Sequence, residues 1–305
     1  MLDEIIIPES GVIQETPVTS ALSALSDLAG TRMVEIDLPL LMTKAFVKPV
    51  TGSEELRLRT MKATGAAFIE SFNRVLFEHV TFDSLKFESF EDFNSHLTPP
   101  DKSLLVYALL DSTFKKLPEK LITCPACGQV DTITMEPSEI IHSDTLTEVW
   151  KHKKDFTDYT IKSEIIPGFT AFYKMPCEAD RISILKTKSN EKMRKDIDNT
   201  GDILSNIELF AAYISKLEIK DDSQESGKIV LTDLITEILP TLVDMPLELQ
   251  ATILEDVKIE EFSKFTPKFY LNIRCSSPTC EKPDYKWDRI NPEQDFFLKA
   301  LSVYN

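Results

Sequence analysis

The sequence predicts an α+β fold, on three observations. Short segments near both ends alternate apolar and polar residues as half-buried strands do, for example 33–40 and 268–274. Between them lie segments whose apolar residues recur at helical spacing. Two close cysteine pairs, Cys124-Pro-Ala-Cys127-Gly128 and Cys275-Ser-Ser-Pro-Thr-Cys280, each sit between strand-like runs.

Taken in order, residues 1–34 read as an extended arm. Ser, Thr, Pro and small residues dominate, and only 21–28 has the pattern of a short helix. Such an arm is expected to be mobile alone and to order on a partner, with Ile5, Ile6, Ile7 and Ile13 as anchors. An α+β domain is expected over 35–187. It opens with a strand over 33–40 and another over 45–50. A helix capped by Ser53 and running to about Val80 follows, with Met61, Gly65, Phe68, Phe72, Val75 and Leu76 on one stripe. Thr98-Pro-Pro-Asp101 starts a second helix, whose body Leu104–Leu110 is apolar all round and so belongs inside the molecule. The first cysteine turn falls within 121–136. Strands are expected within 157–187, including 182–186. From 188 to 258 the pattern reads as an inserted helical subdomain. Leu204, Ile207, Phe210, Ala211, Ile214 and Leu217 form one stripe there, a helix capped by Thr232 stops at Pro240, and another follows Pro246. The last segment, 259–305, holds the second cysteine turn between two strands and a terminal helix carrying Phe296 and Phe297.

Composition bounds the function. The chain has 305 residues, 42% of them hydrophobic and 28% charged, enough for a sizeable core. Fifty acids against 34 bases give a net charge of −16, which argues against nucleic acid as a partner. No run is long enough to cross a bilayer, and the acidic start lacks the features of a secretory signal, so a reducing cytoplasm is expected. No membrane partner and no small-molecule substrate is indicated.

The cysteines carry the strongest signal. Two tight turns supplying two thiolates each are what a tetrahedral metal site needs, and Gly128 fits a turn with positive φ. Cys124, Cys127, Cys275 and Cys280 are therefore expected to ligate one structural zinc as a split zinc ribbon. The 147 residues between Cys127 and Cys275 would then be an insertion whose ends return to one place. Free thiols or a redox dithiol are the other readings. Cys177 stands apart and reads as a small buried residue. A four-thiolate site leaves no open position for water, which catalytic zinc sites keep. His79, His96, His142 and His152 are scattered away from ligand spacings, and no phosphate-binding loop, nucleophile elbow or His-Glu-x-x-His motif occurs. The expectation is a protein that is not an enzyme.

One family pattern overlays these residues. The strand Glu35-Ile-Asp-Leu-Pro-Leu40 precedes Val47-Lys-Pro-Val-Thr-Gly52-Ser-Glu-Glu55. Leu97-Thr-Pro-Pro-Asp101-Lys-Ser-Leu-Leu-Val106 and Cys124-Pro-Ala-Cys-Gly128 follow. This order resembles the baseplate hub assembly and baseplate proteins of T-even-like contractile-tailed bacteriophages. The likeness covers mainly 35–136, and the second cysteine turn is consistent with it. It implies a structural or assembly protein of the tail baseplate hub, bound to other tail proteins. Such a protein would be found in the virion tail baseplate, or in host cytoplasm during assembly. The four cysteines carry over as structural ligands, and the family supplies no catalytic residue. The alternative expectation is a zinc-ribbon transcription regulator acting through polymerase contacts.

Overall fold

The computed structural model describes residues 32–54, 56, 65–142, 160–195, 206–221, 223, 227–256, 262 and 264–302. The chain divides into two units, Met1–Arg32 and Met33–Asn305. The arm expected over 1–34 therefore lies outside the described residues except for its last three. Helices and antiparallel sheets together make the α+β class that the pattern predicts.

The first layer is a three-stranded antiparallel sheet of β1 (Val34–Leu38), β2 (Thr43–Val47) and β3 (Val80–Phe82). Its alternation is sharp. Ile36, Leu38, Ala45 and Val47 are buried while Glu35, Asp37 and Lys44 face out. Three helices pack here: α1 (Gly65–His79), α2 (Phe90–His96) and α3 (Pro99–Thr113). As expected, every residue of 104–110 in α3 is buried. Its start is capped by Thr98, whose hydroxyl accepts from the Asp101 amide. The helix start before α1 differs from expectation. Thr51, not Ser53, is the cap: its amide donates to the Glu54 carboxylate at 2.8 Å, and the Glu54 amide donates back to its hydroxyl at 3.4 Å. That reciprocal pair is a capping box, which outcompetes a lone serine.

Asp101 has a second task. Fully buried, it accepts from the amides of Leu40 (3.3 Å) and Leu41 (2.8 Å), and so holds the β1–β2 turn against α3. Burial pushes its carboxyl up to about 7, although those amides act in the opposite direction.

The middle of the chain corrects two expectations. Residues 182–186 are not a strand. They belong to α4 (Glu178–Lys195), with Ile182 and Ile184 buried. Asp180 receives the Cys177 amide at 3.1 Å, and buried Glu178 ties the first turn to Lys102 at 2.8 Å, so tertiary contacts override β-branched propensity. Nor is 188–258 a purely helical, separate subdomain. After α5 (Asn206–Ala211) the chain enters β9 (Ile214–Lys220) and β10 (Lys228–Leu231). These join β7 (Ile161–Ile166) and β8 (Phe169–Tyr173) in one sheet, in the order β10-β9-β8-β7. The misleading spacing has a definite cause. Ile214 and Leu217 are an odd number of residues apart, which a regular strand would put on opposite faces. The β8–β9 register shifts between Phe172 and Tyr173, and this bulge lets both be buried. The helix expected to stop at Pro240 is likewise different. A π-turn over Leu234–Ile238, capped by Asp233 rather than Thr232, feeds α6 (Leu239–Asp244), with Pro240 in its first turn. Then comes α7 (Leu247–Asp256).

A buried polar network joins these parts. Lys102 of α3 and Asn73 of α1 both donate to the Glu178 Oε2 of α4, at 2.8 and 3.1 Å, and Asn73 also donates to Asn94 of α2 at 2.9 Å. The C-terminal helix α8 (Pro292–Ser302) closes the same core, with Phe296 against Phe72 and Phe114. No helix among the described residues is long and apolar enough to cross a membrane.

Candidate metal centre

Two hairpin-like turns build the site. The first lies between β4 (Lys120–Thr123) and β5 (Val130–Ile133), which pair antiparallel from Lys120↔Ile133 to Thr123↔Val130. The second lies between β11 (Phe269–Arg274) and β12 (Asp284–Trp287), and β6 (Ile141–His142) adds to the far edge of β11. The strand–turn–strand arrangement expected at both cysteine pairs is present.

Local hydrogen bonds shape each turn around its sulfurs. The Gly128 amide donates to the Cys124 carbonyl at 2.9 Å, and the Cys124 amide to the Gln129 carbonyl at 2.8 Å. That closure requires Gly128 at φ +76, a backbone position suited to glycine. In the second turn the Cys275 amide donates to the Pro283 carbonyl at 2.8 Å, and the Ser277 amide points at the Cys275 Sγ at 3.5 Å.

The two turns face each other. All four sulfurs lie within 4.8 Å of one another, with Cys124–Cys280 at 3.8 Å and Cys127–Cys275 at 3.5 Å. Four sulfurs about 2.3 Å from a central ion stand about 3.8 Å apart in a tetrahedron, so the spacing fits a metal cage. All four are free cysteines, and the sulfur separations are far beyond a disulfide bond. Cys124 and Cys275 are buried, whereas Cys127 is exposed. The four cysteines singled out from sequence thus come together and can hold a metal ion.

The electrostatics of the cluster are uneven. At Cys124 burial raises the thiol, but the amides of Cys127 and Ala126 outweigh it and bring it to about 7. At Cys275 the Ser277 amide lowers the thiol, yet burial and the neighbouring sulfurs push it up to about 12. Crowded thiols without a cation cannot all ionise, and a bound cation reverses this logic by deprotonating every ligand.

A residue that the sequence reading missed joins the two half-sites. Asp131 of β5 accepts from the Ser276 amide at 3.1 Å and from the Ser276 hydroxyl. Those bonds hold its carboxyl below the usual range. Three residues beyond Gly128, an acid among Val and Thr is the only trace it leaves in the sequence. The first turn is also fastened to the C-terminal helix. Lys120 pairs with buried Asp295 and lies over the Trp287 ring.

The remaining candidates fall elsewhere. Cys177 is half-buried, not part of the cluster, and its thiol donates to Asp180 at 3.3 Å. Burial, reinforced by that carboxylate, pushes the thiol up to about 11. His79 meets Glu54 at 3.1 Å, His96 caps within α2, and His142 packs on Tyr107. His152 lies outside the described residues. The cysteine cluster is the one group of three or more metal-ligating side chains found among the described residues. The chain matches no protein-family model, no curated protein and no solved structure.

Proposed function

We propose that this chain is a structural or assembly protein of a contractile phage-tail baseplate hub, that it acts by binding other tail proteins, and that its cysteine cage holds zinc. One observation carries the reading. The residues that make up the family-like pattern are the ones that anchor the fold. Thr51 and Glu54 form the capping box, Thr98 and Asp101 cap α3 and hold the β1–β2 turn, and Cys124-Pro-Ala-Cys-Gly128 forms the first ligand turn. Motif residues that serve the structure together are what a shared scaffold leaves in a sequence.

Zinc is favoured by the donor set. Four thiolates in a tetrahedron suit zinc or an iron centre, and zinc needs no redox partner. When bound, the ion supplies folding free energy and no reaction, because four thiolates fill its coordination. The chain's own contribution is to orient the sulfurs through the turn amides and to keep the half-sites in register through Asp131. The absence of an open coordination position supports a non-enzymatic role.

The test has two arms. Elemental analysis of protein purified without added metal should give one zinc per chain, and iron instead would overturn the metal assignment. Purified chain mixed with baseplate hub proteins of a contractile-tailed phage should co-migrate with them in size-exclusion chromatography. Failure to bind any of them, with stable capture of RNA polymerase instead, would replace the tail reading with that of a regulator.

A further inference from the structure

A cleft beside the start of α4, lined also by α5 and α7, has no part in the metal site. Its volume is about 560 Å³, within the range of sites that take drug-sized groups. Among the described residues it is lined by Pro99, Cys177, Arg181, Phe210, Tyr213 and Leu254 with a few neighbours. The floor is apolar: Phe210 is 2% exposed and its ring lies stacked beside Tyr213. The rim continues onto Leu209 and Leu254, which are 45% and 38% exposed. They extend the apolar lining of the cleft onto the surface.

The rim also carries a cation. Arg181 is about half exposed, and its nearest carboxylate oxygen, Oε1 of Glu178, stands 3.9 Å away. That distance is too long for a hydrogen bond. The other oxygen of Glu178 is already committed to Lys102 and Asn73. Arg181 therefore keeps a fork of donors facing the cleft. Its charge reaches Tyr213, whose phenol burial raises and the guanidinium lowers. In a chain of net charge −16, Arg181 brings one positive charge to the wall of this apolar pocket. Guanidinium forks match carboxylates bidentately. The Cys177 thiol, paired with Asp180, stays protonated and adds an apolar wall rather than a nucleophile.

We propose that this cleft receives a peptide segment of a partner protein in which a large apolar side chain is followed by a carboxylate, the apolar group filling the pocket over Phe210 and the carboxylate pairing with Arg181. The proposal rests on the reading that the chain works by binding proteins. Its test uses the purified full chain alone, so its failure leaves the tail assignment standing, and failed co-assembly leaves the peptide result standing.

The probe is a fluorescein-labelled, C-terminally amidated pentapeptide, Asp-Leu-Leu-Phe-Glu-NH2, compared by anisotropy with the amidated counterpart lacking side-chain carboxylates, Asn-Leu-Leu-Phe-Gln-NH2. Saturable binding is expected, at least about fivefold tighter for the acidic peptide, the scale of one exposed charge-assisted pair. Arg181→Gln should abolish that preference, and Leu254→Glu should weaken both peptides. Circular dichroism and metal content check that each variant keeps the parent's fold, and Leu254→Ala serves as a second, milder variant. Equal affinity for the two peptides, an undiminished preference in Arg181→Gln, or no saturable binding would each overturn the proposal. Binding of 4-phenylbutyrate without binding of either peptide would also overturn it, in favour of a small-molecule site.

Discussion

Two regions of this molecule hold sequence-distant segments together by opposite means. At the cysteine cage, residues 148 positions apart meet through four sulfurs at a partly exposed site, with little apolar surface around Cys127. At the α1–α3–α4 junction, residues 76 and 105 positions apart meet through one fully buried carboxylate, with Lys102 lying over the Phe72 ring. The first arrangement would draw on a metal ion that has to be acquired, and the second draws on charges that had to be desolvated. Neither could substitute for the other. A small two-turn module cannot bury enough surface to hold itself, and a dense helical core gains nothing from a metal.

The comparison breaks most visibly at the cage. Cys275→Ser should lose the metal and cost on the order of several kcal/mol, because metal binding is folding free energy here. The parent treated with a chelator should behave alike. Near-ultraviolet circular dichroism at Trp287 on β12 should change, while far-ultraviolet helicity stays. A coincident loss of all helix signal would show that the cage and the helical core are one cooperative unit.

Next in size is the buried carboxylate. Glu178→Ala leaves Lys102, 5% exposed, without its partner and should cost about 3–5 kcal/mol. A paired Lys102→Met, Glu178→Leu variant should recover much of that loss. Chemical denaturation measures both, and a double variant no better than the single would mean that the network does more than neutralise charge.

Asp101 gives a pH signature. Its folded pKa, about 7, lies above the unfolded value of 3.8. Its contribution to stability is therefore complete below pH 4 and lost as pH rises through 7, by no more than about 4 kcal/mol. Asp101→Asn should flatten that part of the stability profile between about pH 4 and 7. An unchanged slope would place the titration elsewhere.

The smallest effect is expected at Asp131. Asp131→Ala removes two exposed hydrogen bonds to Ser276 and should cost about 1 kcal/mol. Metal affinity should fall with it, roughly 10-fold if Asp131 acts as other outer partners of metal sites do. Competition with a chromogenic chelator reads that directly, and Cys177→Ala serves as the control with unchanged metal content.

How much of this was legible in the sequence follows from the kind of signal each part leaves. The cage was legible because ligand chemistry restricts both residue type and spacing, and four cysteines in two short pairs have few other uses. The interior position of α3 was legible because Leu104–Leu110 has no polar face to offer water. β9 was not, because a bulge gave Ile214 and Leu217 a helical spacing on a strand. The start of α4 was not, because its direction is set by Lys102, which lies far away in the chain. Asp131 was invisible for a similar reason: its partner Ser276 is 145 positions distant, and an exposed acid looks like any other until the turns meet.

The cage also changes what the intervening chain is free to become. With the proposed ion bound, a cross-link at both ends would turn 128–274 into a closed loop, and the entropy of closing a loop grows only with the logarithm of its length. Doubling such a loop costs about 0.6 kcal/mol. Residues added or removed between β9 and β10, where Ser223 is exposed, should therefore barely disturb the cage. The ligand module can act as a fixed hem, below which the connecting fabric is cut to a different partner without unpicking the seam.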